Sequence, residues 1–502
     1  AEPPIASRLL GERPCATLLR ARMNPADAAH NLSMDPEEFR RLAHTVVDWI
    51  ADYRRDVAQR PVQTNARPGD VLAQLPATPP EHPEGFASVL RDLDQVLLPA
   101  CSHWQHPEFF AYFPSNGDLA AVLGDFLSSG LGVLGLAWQS APALTELEQR
   151  ATDWLRQLCG LAADWRGVLQ DTASTSSLLA LACARERSTG HGQTRTGMQH
   201  GEAPLVVYTS REAHSSVAKA ALLVGFGREH VRSIDVDDAR ALRPDALAAA
   251  ITADRAAGLR PCAIVATTGT TATTAMDPIA ACAALAREHG LWLHVDAAMA
   301  GAAMLLPECR PLWHGIDEAD SLVVNPHKWL GATFDCSAYF VRDPQHLVRV
   351  MSTNPSYLRT AVDDEVCNYR DWGVALGRRF RALKLWALLR THGAERLRER
   401  LRRDLANAQW LAERVRATPP WRVLAPVALQ TVCLRHEPSG LHGDELDRHT
   451  LGWLAKLHAS GHAWLTPAQL DGRWMVRVSI GSLSTTHAHV AALWQRLQDA
   501  VR

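Results

Sequence analysis

Apolar residues recur at Phe39, Leu42, Val46, Trp49, Ile50 and Tyr53, the three-and-four spacing of a single helix face. Asp35-Pro36-Glu37-Glu38 supplies the start of that helix: a capping carboxylate, proline at the first helical position and acids in the first turn. Residues 61–85 then lose periodicity and carry Pro61, Pro68, Pro76, Pro79, Pro80 and Pro83, which predicts a loop. A second helix is expected around 86–98. From about residue 118 the pattern alternates. Helical stretches at 118–131, 143–158 and 175–188 lead into short apolar runs at 204–209, 262–267, 291–296, 321–325 and 336–341. Helices predicted over 214–224, 244–256 and 278–289 lie between them. Continuous apolar strands alternating with helices predict a mainly parallel sheet covered on both faces. After a long helix near 377–391 the pattern changes again. Two long amphipathic helices with strand-like pieces at 421–424, 430–435 and 474–480 predict a smaller α+β domain. The stretch 351–370 is polar, weakly patterned and reads as a mobile loop.

Length adds a constraint. A chain of 502 residues exceeds one ordinary core, so two or three domains or subdomains are expected. Residues 1–33 lack the periodicity of the helix at 35–56 and read as a disordered or processed extension. The remainder of the chain divides into 34–110, 111–394 and 395–502. A net charge of −2 provides no global field for nucleic acid or an anionic membrane. No apolar run approaches the roughly 18–20 residues of a membrane span. Ten cysteines are scattered without a C-x-x-C pair, several inside apolar stretches, which points to a reducing cytoplasm and no disulfide framework.

Chemistry enters where apolar strands end in polar residues. Leu291-Trp292-Leu293-His294-Val295-Asp296 closes on a carboxylate, which is costly in such surroundings unless a cation faces it. Ser321-Leu322-Val323-Val324 runs into Asn325-Pro326-His327-Lys328-Trp329. Ligands of open α/β sheets sit at the carboxyl ends of strands, so Asp296 and Lys328 can share one crevice. On these two residues alone, a structural ion pair is an equal reading. Asp171-Thr172-Ala173-Ser174-Thr175-Ser176-Ser177 is a small, hydroxyl-rich turn opening a helix, where free N–H groups favour phosphate. His214 and the turn Thr267-Thr268-Gly269-Thr270-Thr271 also come directly after strands. A phosphate cradle, an imidazole, a carboxylate and a lysine on one sheet edge fit pyridoxal 5′-phosphate (PLP). In that reading Lys328 forms the Schiff base and Asp296 pairs with the pyridinium N–H. His103-Trp104-Gln105-His106 has a spacing possible for a metal pair, but Pro107 comes next and no further ligands cluster, so packing is the expected role and no metal is assigned.

Asn325-Pro326-His327-Lys328-Trp329 together with His294-Val295-Asp296-Ala297-Ala298 resembles the group II PLP decarboxylases, specifically the aromatic-L-amino-acid decarboxylase branch. The likeness runs from about residue 35 to the C-terminus and includes Phe109-Phe110-Ala111-Tyr112-Phe113-Pro114, Thr145-Glu146-Leu147-Glu148 and Gly377-Arg378-Arg379-Phe380-Arg381. The resemblance implies the PLP-dependent transferase fold type I: a mainly parallel seven-stranded sheet, a helical N-terminal dimerisation segment and a small α+β C-terminal domain. It also implies a homodimer with active sites at the interface. Lys328, Asp296, His214 and Tyr357 are the implied catalytic residues. Thr172, Ala173, Ser174, Asn325 and His327 would hold the phosphate, Ala298 would lie under the ring and Thr270 near its substituents. Trp104, Tyr112, Phe113, Ser115 and Leu136 would line the substrate pocket. Arg378, Arg379 and Arg381 are expected to be structural or interfacial.

Leu136, Ser115 and Met299 depart from animal members and look like bacterial ones. The implied reaction is decarboxylation of dopa, tyrosine, tryptophan or phenylalanine to the amine and CO₂. An aromatic aldehyde synthase is the first alternative, disfavoured by Tyr357 and His214. A cysteine desulfurase, with Cys367 as its loop thiol, or an aminotransferase is the next. A non-enzymatic cofactor-binding protein is the last. No cationic pocket residue suited to glutamate is apparent.

Overall fold

The apolar runs form the centre of one seven-stranded sheet. In the computed structural model, which describes residues 33–199, 203–353, 362–363 and 365–502, the strands are β1 (Arg166–Gln170), β2 (Leu205–Ser210), β3 (Val231–Ile234), β4 (Arg260–Thr267), β5 (Trp292–Asp296), β6 (Ser321–Val324) and β7 (Ser337–Val341). Their spatial order is β1-β7-β6-β5-β4-β2-β3. Strands β3, β2, β4, β5 and β6 run parallel, and β7 lies antiparallel to both β6 and β1. The mainly parallel seven-stranded sheet is therefore as expected. Two of its strands escaped the sequence reading, and both are edges. Edge strands need not be apolar on both faces, and β3 has one buried residue of four.

Successive side chains on β4 and β5 go to opposite layers. Ile264, Leu293 and Val295 join one core, with Leu155, Ala283 and Leu385 from helices α4 (Pro142–Cys159), α8 (Ile279–His289) and α9 (Arg381–Arg416). Ala263, Val265 and Trp292 join a second core, with Leu181 and Val217 from α5 (Ala173–Ser188) and α6 (Ser215–Val224). Helix α7 (Pro244–Ala256) starts at its proline, as predicted. Helix α9 begins four residues later than expected and runs much further, broken at Gly393, whose φ of 67° is left-handed.

A second, four-stranded antiparallel sheet has the order β10-β11-β9-β8, built from β8 (Trp421–Val423), β9 (Thr431–His436), β10 (Thr466–Leu470) and β11 (Arg473–Ser479). Strand β10 was not expected; Pro467 is tolerated because the strand is an edge. Helices α10 (Gly443–Ala459) and α11 (His487–Ala500) contribute Trp453, Leu457, Val490 and Leu493 to the core of this layer.

Contacts divide the described chain into two compact units, residues 33–56 with 78–92, and residues 57–77 with 93–502. In the first, α1 (Pro36–Asp56) is capped by Asp35, whose carboxylate accepts the Glu37 N–H at 2.8 Å, yet the helix buries none of its residues. The helix expected over 86–98 is α-helical only as α2 (Phe86–Asp92), continued by a π-helical turn. In the second unit, α3 (Leu119–Leu131) is capped by Asp118.

The basic run around 378 is not a solvated face. Arg378 grips both oxygens of Glu148 at 3.0 and 2.5 Å, and both side chains are buried. Arg378 also donates to the Leu169 carbonyl at 2.7 Å, while the Leu169 N–H donates to Glu148 at 2.8 Å. Arg379 pairs with Asp125 and Arg381 with Asp335. Arg378→Met leaves a buried carboxylate without its cation. We expect it to lower unfolding stability by about 3–5 kcal/mol, read as a fall in the thermal midpoint, with partial recovery in the Arg378→Met/Glu148→Leu double variant.

Candidate active site

Lysine 328 is held by the way its strand ends. Pro326 interrupts β6, and residues Pro326–Leu330 wind into a π-helical turn. Trp329 is fully buried and its indole N–H donates to Asp404 at 3.0 Å. Lys328 instead reaches a cavity of about 210 Å³, lined by Phe113, Thr172, Ala173, Ser174, His214, Asp296, Ala298, Asn325, His327 and Lys328 itself. Its Nζ lies 5.5 Å from the centre of the Phe113 ring. Burial lowers the pKa of this amine; the charge of Asp296 opposes that shift and Arg477 reinforces it. An amine shifted this way spends more time unprotonated and nucleophilic.

Asp296 ends β5, in register with Thr267 of β4 and Val323 of β6. Its Oδ1 accepts the Ala298 N–H at 3.0 Å. Two residues back, His294 is fully buried, with its Nδ1 2.9 Å from the Ser321 hydroxyl, and burial pushes its pKa down to about 4. His214 caps α6: its Nδ1 accepts the Ser216 N–H at 3.1 Å. The ring proton of the neutral form therefore sits on Nε2. Burial lowers the His214 pKa, Asp296 pulling against that shift and Lys328 adding to it.

Donors for an anion surround the same cavity. Thr172 is the N-cap of α5 but its side chain makes no cap bond, so the first N–H groups of this 16-residue helix have no partner within it. Asn325 Oδ1 accepts the Ser337 hydroxyl at 2.6 Å, leaving its NH₂ to donate. His327 Nδ1 accepts the Cys336 N–H at 3.0 Å, so its proton lies on Nε2, and burial holds its pKa at about 4. Helix N–H groups, an amide and a neutral imidazole donor can hold a phosphate. A carboxylate in the same cavity suits a protonated pyridine nitrogen, and a pKa-lowered lysine suits an aldehyde. The residues fit PLP.

Some expected residues lie elsewhere. Thr270 is fully buried, its hydroxyl 3.0 Å from that of Thr273 and accepting the Ala275 N–H at 3.0 Å. Its neighbours Gly269 and Thr271 reach the cavity instead. Thr270 is thereby corrected to a turn-forming role. Trp104, Tyr112, Ser115 and Leu136 do not line the cavity of this chain. Tyr112 points away from Phe113 and stacks on Trp104, ring centres 5.6 Å apart, with both rings partly exposed. The Ser115 carbonyl accepts from Gln105. Tyr357 lies outside the described residues. His106 accepts the Glu108 N–H through Nδ1, and among the described residues no three His, Cys, Asp or Glu side chains gather as a metal site would require. A wider cleft of about 770 Å³ lies beside Trp138, Arg150 and Trp372, but neither lysine nor histidine lines it.

The sequence reading missed Phe334, an exposed ring on the cavity wall, and Arg477. Arg477 is buried on β11, donates from Nε to the Ala272 carbonyl at 2.9 Å and lies 4.9 Å from the Phe113 ring centre. Its Nη2 has no partner, and burial pulls its pKa to about 10. The signal was available: an arginine inside the strand Trp474-Met475-Val476-Arg477-Val478 is a buried charge that needs a reason.

The sheet and the composition of this cavity define a fold type I PLP enzyme. A sequence profile described as the pyridoxal-dependent decarboxylase conserved domain matches residues 68–437. The chain belongs to the pyridoxal-dependent decarboxylase family. It is 37% identical over 494 residues to L-tyrosine/L-DOPA decarboxylase 2 of Lophophora williamsii, covering 93% of this chain and 94% of that one. It is also 37% identical to phenylacetaldehyde synthase of Arabidopsis thaliana, covering 93% and 96%. A crystal structure of Oryza sativa TDC with PLP and tryptamine superposes with a TM-score of 0.90 at 34% identity, covering 93% of this chain and 98% of that one.

Proposed function

We propose that the protein decarboxylates an aromatic L-amino acid, of the dopa, tyrosine, tryptophan or phenylalanine class, to its amine and CO₂. The observation that carries this reading is the buried Lys328 amine sharing one cavity with Asp296 and an anion cradle. The decarboxylase of Lophophora williamsii and the tryptamine complex of the Oryza sativa protein support the aromatic class. When bound, PLP supplies an aldehyde for amines and a ring that accepts the electron pair of the Cα–carboxylate bond.

Lys328 holds the cofactor and exchanges it for the substrate amine. Asp296 keeps a proton on the ring nitrogen. Thr172, Ala173, Ser174, Asn325 and His327 hold the phosphate, Ala298 supports one side of the ring and the neutral His214 covers the other. Phe113 and Phe334 offer flat apolar walls to an aromatic side chain. Tyr357 is assigned the proton returned to Cα by its position in the sequence.

The protein acts as a homodimer in this reading, with residues 34–110 as its dimerisation segment. Helix α1 buries none of its residues, and Leu119, Leu123, Leu127 and Leu131 form a stripe on α3 between 47% and 60% exposed. Such a stripe marks an interaction surface. Trp104, Tyr112, Ser115 and Leu136 form the outer wall of the substrate pocket, completed at that interface. A cytoplasmic location accords with nine free thiols among the described residues. No described helix is long and apolar enough to cross a membrane.

A panel of aromatic L-amino acids, glutamate and cysteine, assayed for CO₂ and amine, tests the substrate class. We expect the aromatic substrates to exceed glutamate by at least about 10²-fold in kcat/KM, since two flat walls leave a second carboxylate unpaired. Preference for glutamate overturns the aromatic assignment and directs attention to Arg477. The kinship to a phenylacetaldehyde synthase keeps aldehyde formation as the second reading. Stoichiometric hydrogen peroxide and ammonia would establish it.

A further inference from the structure

Burial makes Lys328 reactive, but the direction of its amine is set by its backbone. The neighbouring side chain, Trp329, is pinned by Asp404. The lysine carbonyl is held from a different segment. Asn116, 2% exposed and just before α3, donates from Nδ2 to the Lys328 carbonyl at 3.0 Å and to the Gly481 carbonyl at 2.8 Å. Its Oδ1 accepts the Leu483 N–H at 3.2 Å. One amide thus joins the lysine turn to the loop that leaves β11. It also lies three residues after Phe113, whose ring faces the lysine amine.

Packing leaves this joint little slack. A Cβ placed on Gly481 would lie 2.7 Å from Pro114 Cγ and 3.2 Å from Trp329 Cδ1. The loop therefore rests directly on the tryptophan beside the lysine. The Asp118 N–H donates to the Gly331 carbonyl at 2.9 Å, so the segment 114–118 grips the turn at two points.

We propose that Asn116 is a positioning residue for Lys328. Its side-chain amide fixes the lysine carbonyl, and so the line of the amine, and makes that line depend on the seating of the C-terminal loop 481–483. The proposal rests on Lys328 being the cofactor lysine, which borohydride trapping tests separately.

The experiment uses PLP-loaded enzyme and compares Asn116→Ala, Asn116→Ser and Asn116→Asp with the wild type. Borohydride trapping and then peptide mass spectrometry should still place the adduct on residue 328 in every variant. In Asn116→Ala, kcat should fall about 10–100-fold, the scale of a misplacement near 1 Å or less, with KM within threefold. The pH midpoint of the bound cofactor's absorbance should move by at least half a unit. The serine hydroxyl retains one donor, so Asn116→Ser should fall between. Asn116→Asp sets a carboxylate against two carbonyl oxygens, so its kcat relative to wild type should rise as pH falls and an O–H donor returns. A wild-type kcat and absorbance midpoint in Asn116→Ala overturn the proposal. So does a loss that tracks only the fraction of folded protein, read from the thermal midpoint. If the alanine variant does not fold, the serine and aspartate variants decide by the same two readouts.

Discussion

Replacing Lys328 with alanine is expected to abolish turnover while leaving a folded protein that still takes up PLP without a covalent link. The donors that suit the phosphate belong to α5, Asn325 and His327, and none depends on the lysine side chain. Trp329 keeps its bond to Asp404, and Asn116 still bonds the carbonyl of residue 328. Only the amine disappears, and with it the nucleophile that burial had made available. Three measurements check this outcome. Circular dichroism should match the wild type, the absorbance should be that of the free aldehyde, and borohydride treatment should leave residue 328 unlabelled. Residual turnover near the wild-type rate, or an adduct on another lysine, would remove the basis of the proposed function.

Asp296→Asn is the second large effect. The substitution preserves size, and an amide oxygen can still accept the Ala298 N–H. It removes the negative charge that would hold a proton on the ring nitrogen. Losing one preorganised electrostatic partner typically costs about 10²–10³-fold in kcat, and that range is expected here. The same change has a pH signature with a definite sign. Asp296 raises the pKa of Lys328, His214 and His294 by its charge. In the asparagine variant all three should fall further. The lysine amine then becomes more often unprotonated at neutral pH, yet turnover drops. A lower absorbance midpoint combined with a lower kcat separates the role of Asp296 on the ring from its influence on Lys328. Wild-type kcat in Asp296→Asn would refute the ring-nitrogen role.

The strands that carry the chemistry were legible because they are central. Residues 262–267, 291–296 and 321–325 are buried on both faces, so they read as unbroken apolar runs. Asp296 and Lys328 stood out against that background. Strands β1, β3 and β10 were not legible because they are edges, half-polar and short. Helix α9 was misread at its end because a glycine that only bends a helix looks like one that stops it.

Side-chain direction was beyond the sequence. Tyr112 and Phe113 are adjacent and equally aromatic, yet Phe113 faces Lys328 while Tyr112 stacks on Trp104. Thr270 sits between two cavity residues and turns inward to Thr273.

By itself, the sequence determined the class of sheet, the strand ends that bear Asp296 and Lys328, and the small-residue turn at Thr172. Each comes from local periodicity and from polar residues placed where apolar ones were due. The tertiary structure alone decided that Arg477 lies beside Phe113, that Asp404 anchors Trp329 and that Asn116 holds the carbonyl of Lys328. Those contacts join residues 75 to 365 positions apart. No local pattern encodes them, because they exist only once separate layers have packed and left each buried polar group to find a partner across the chain.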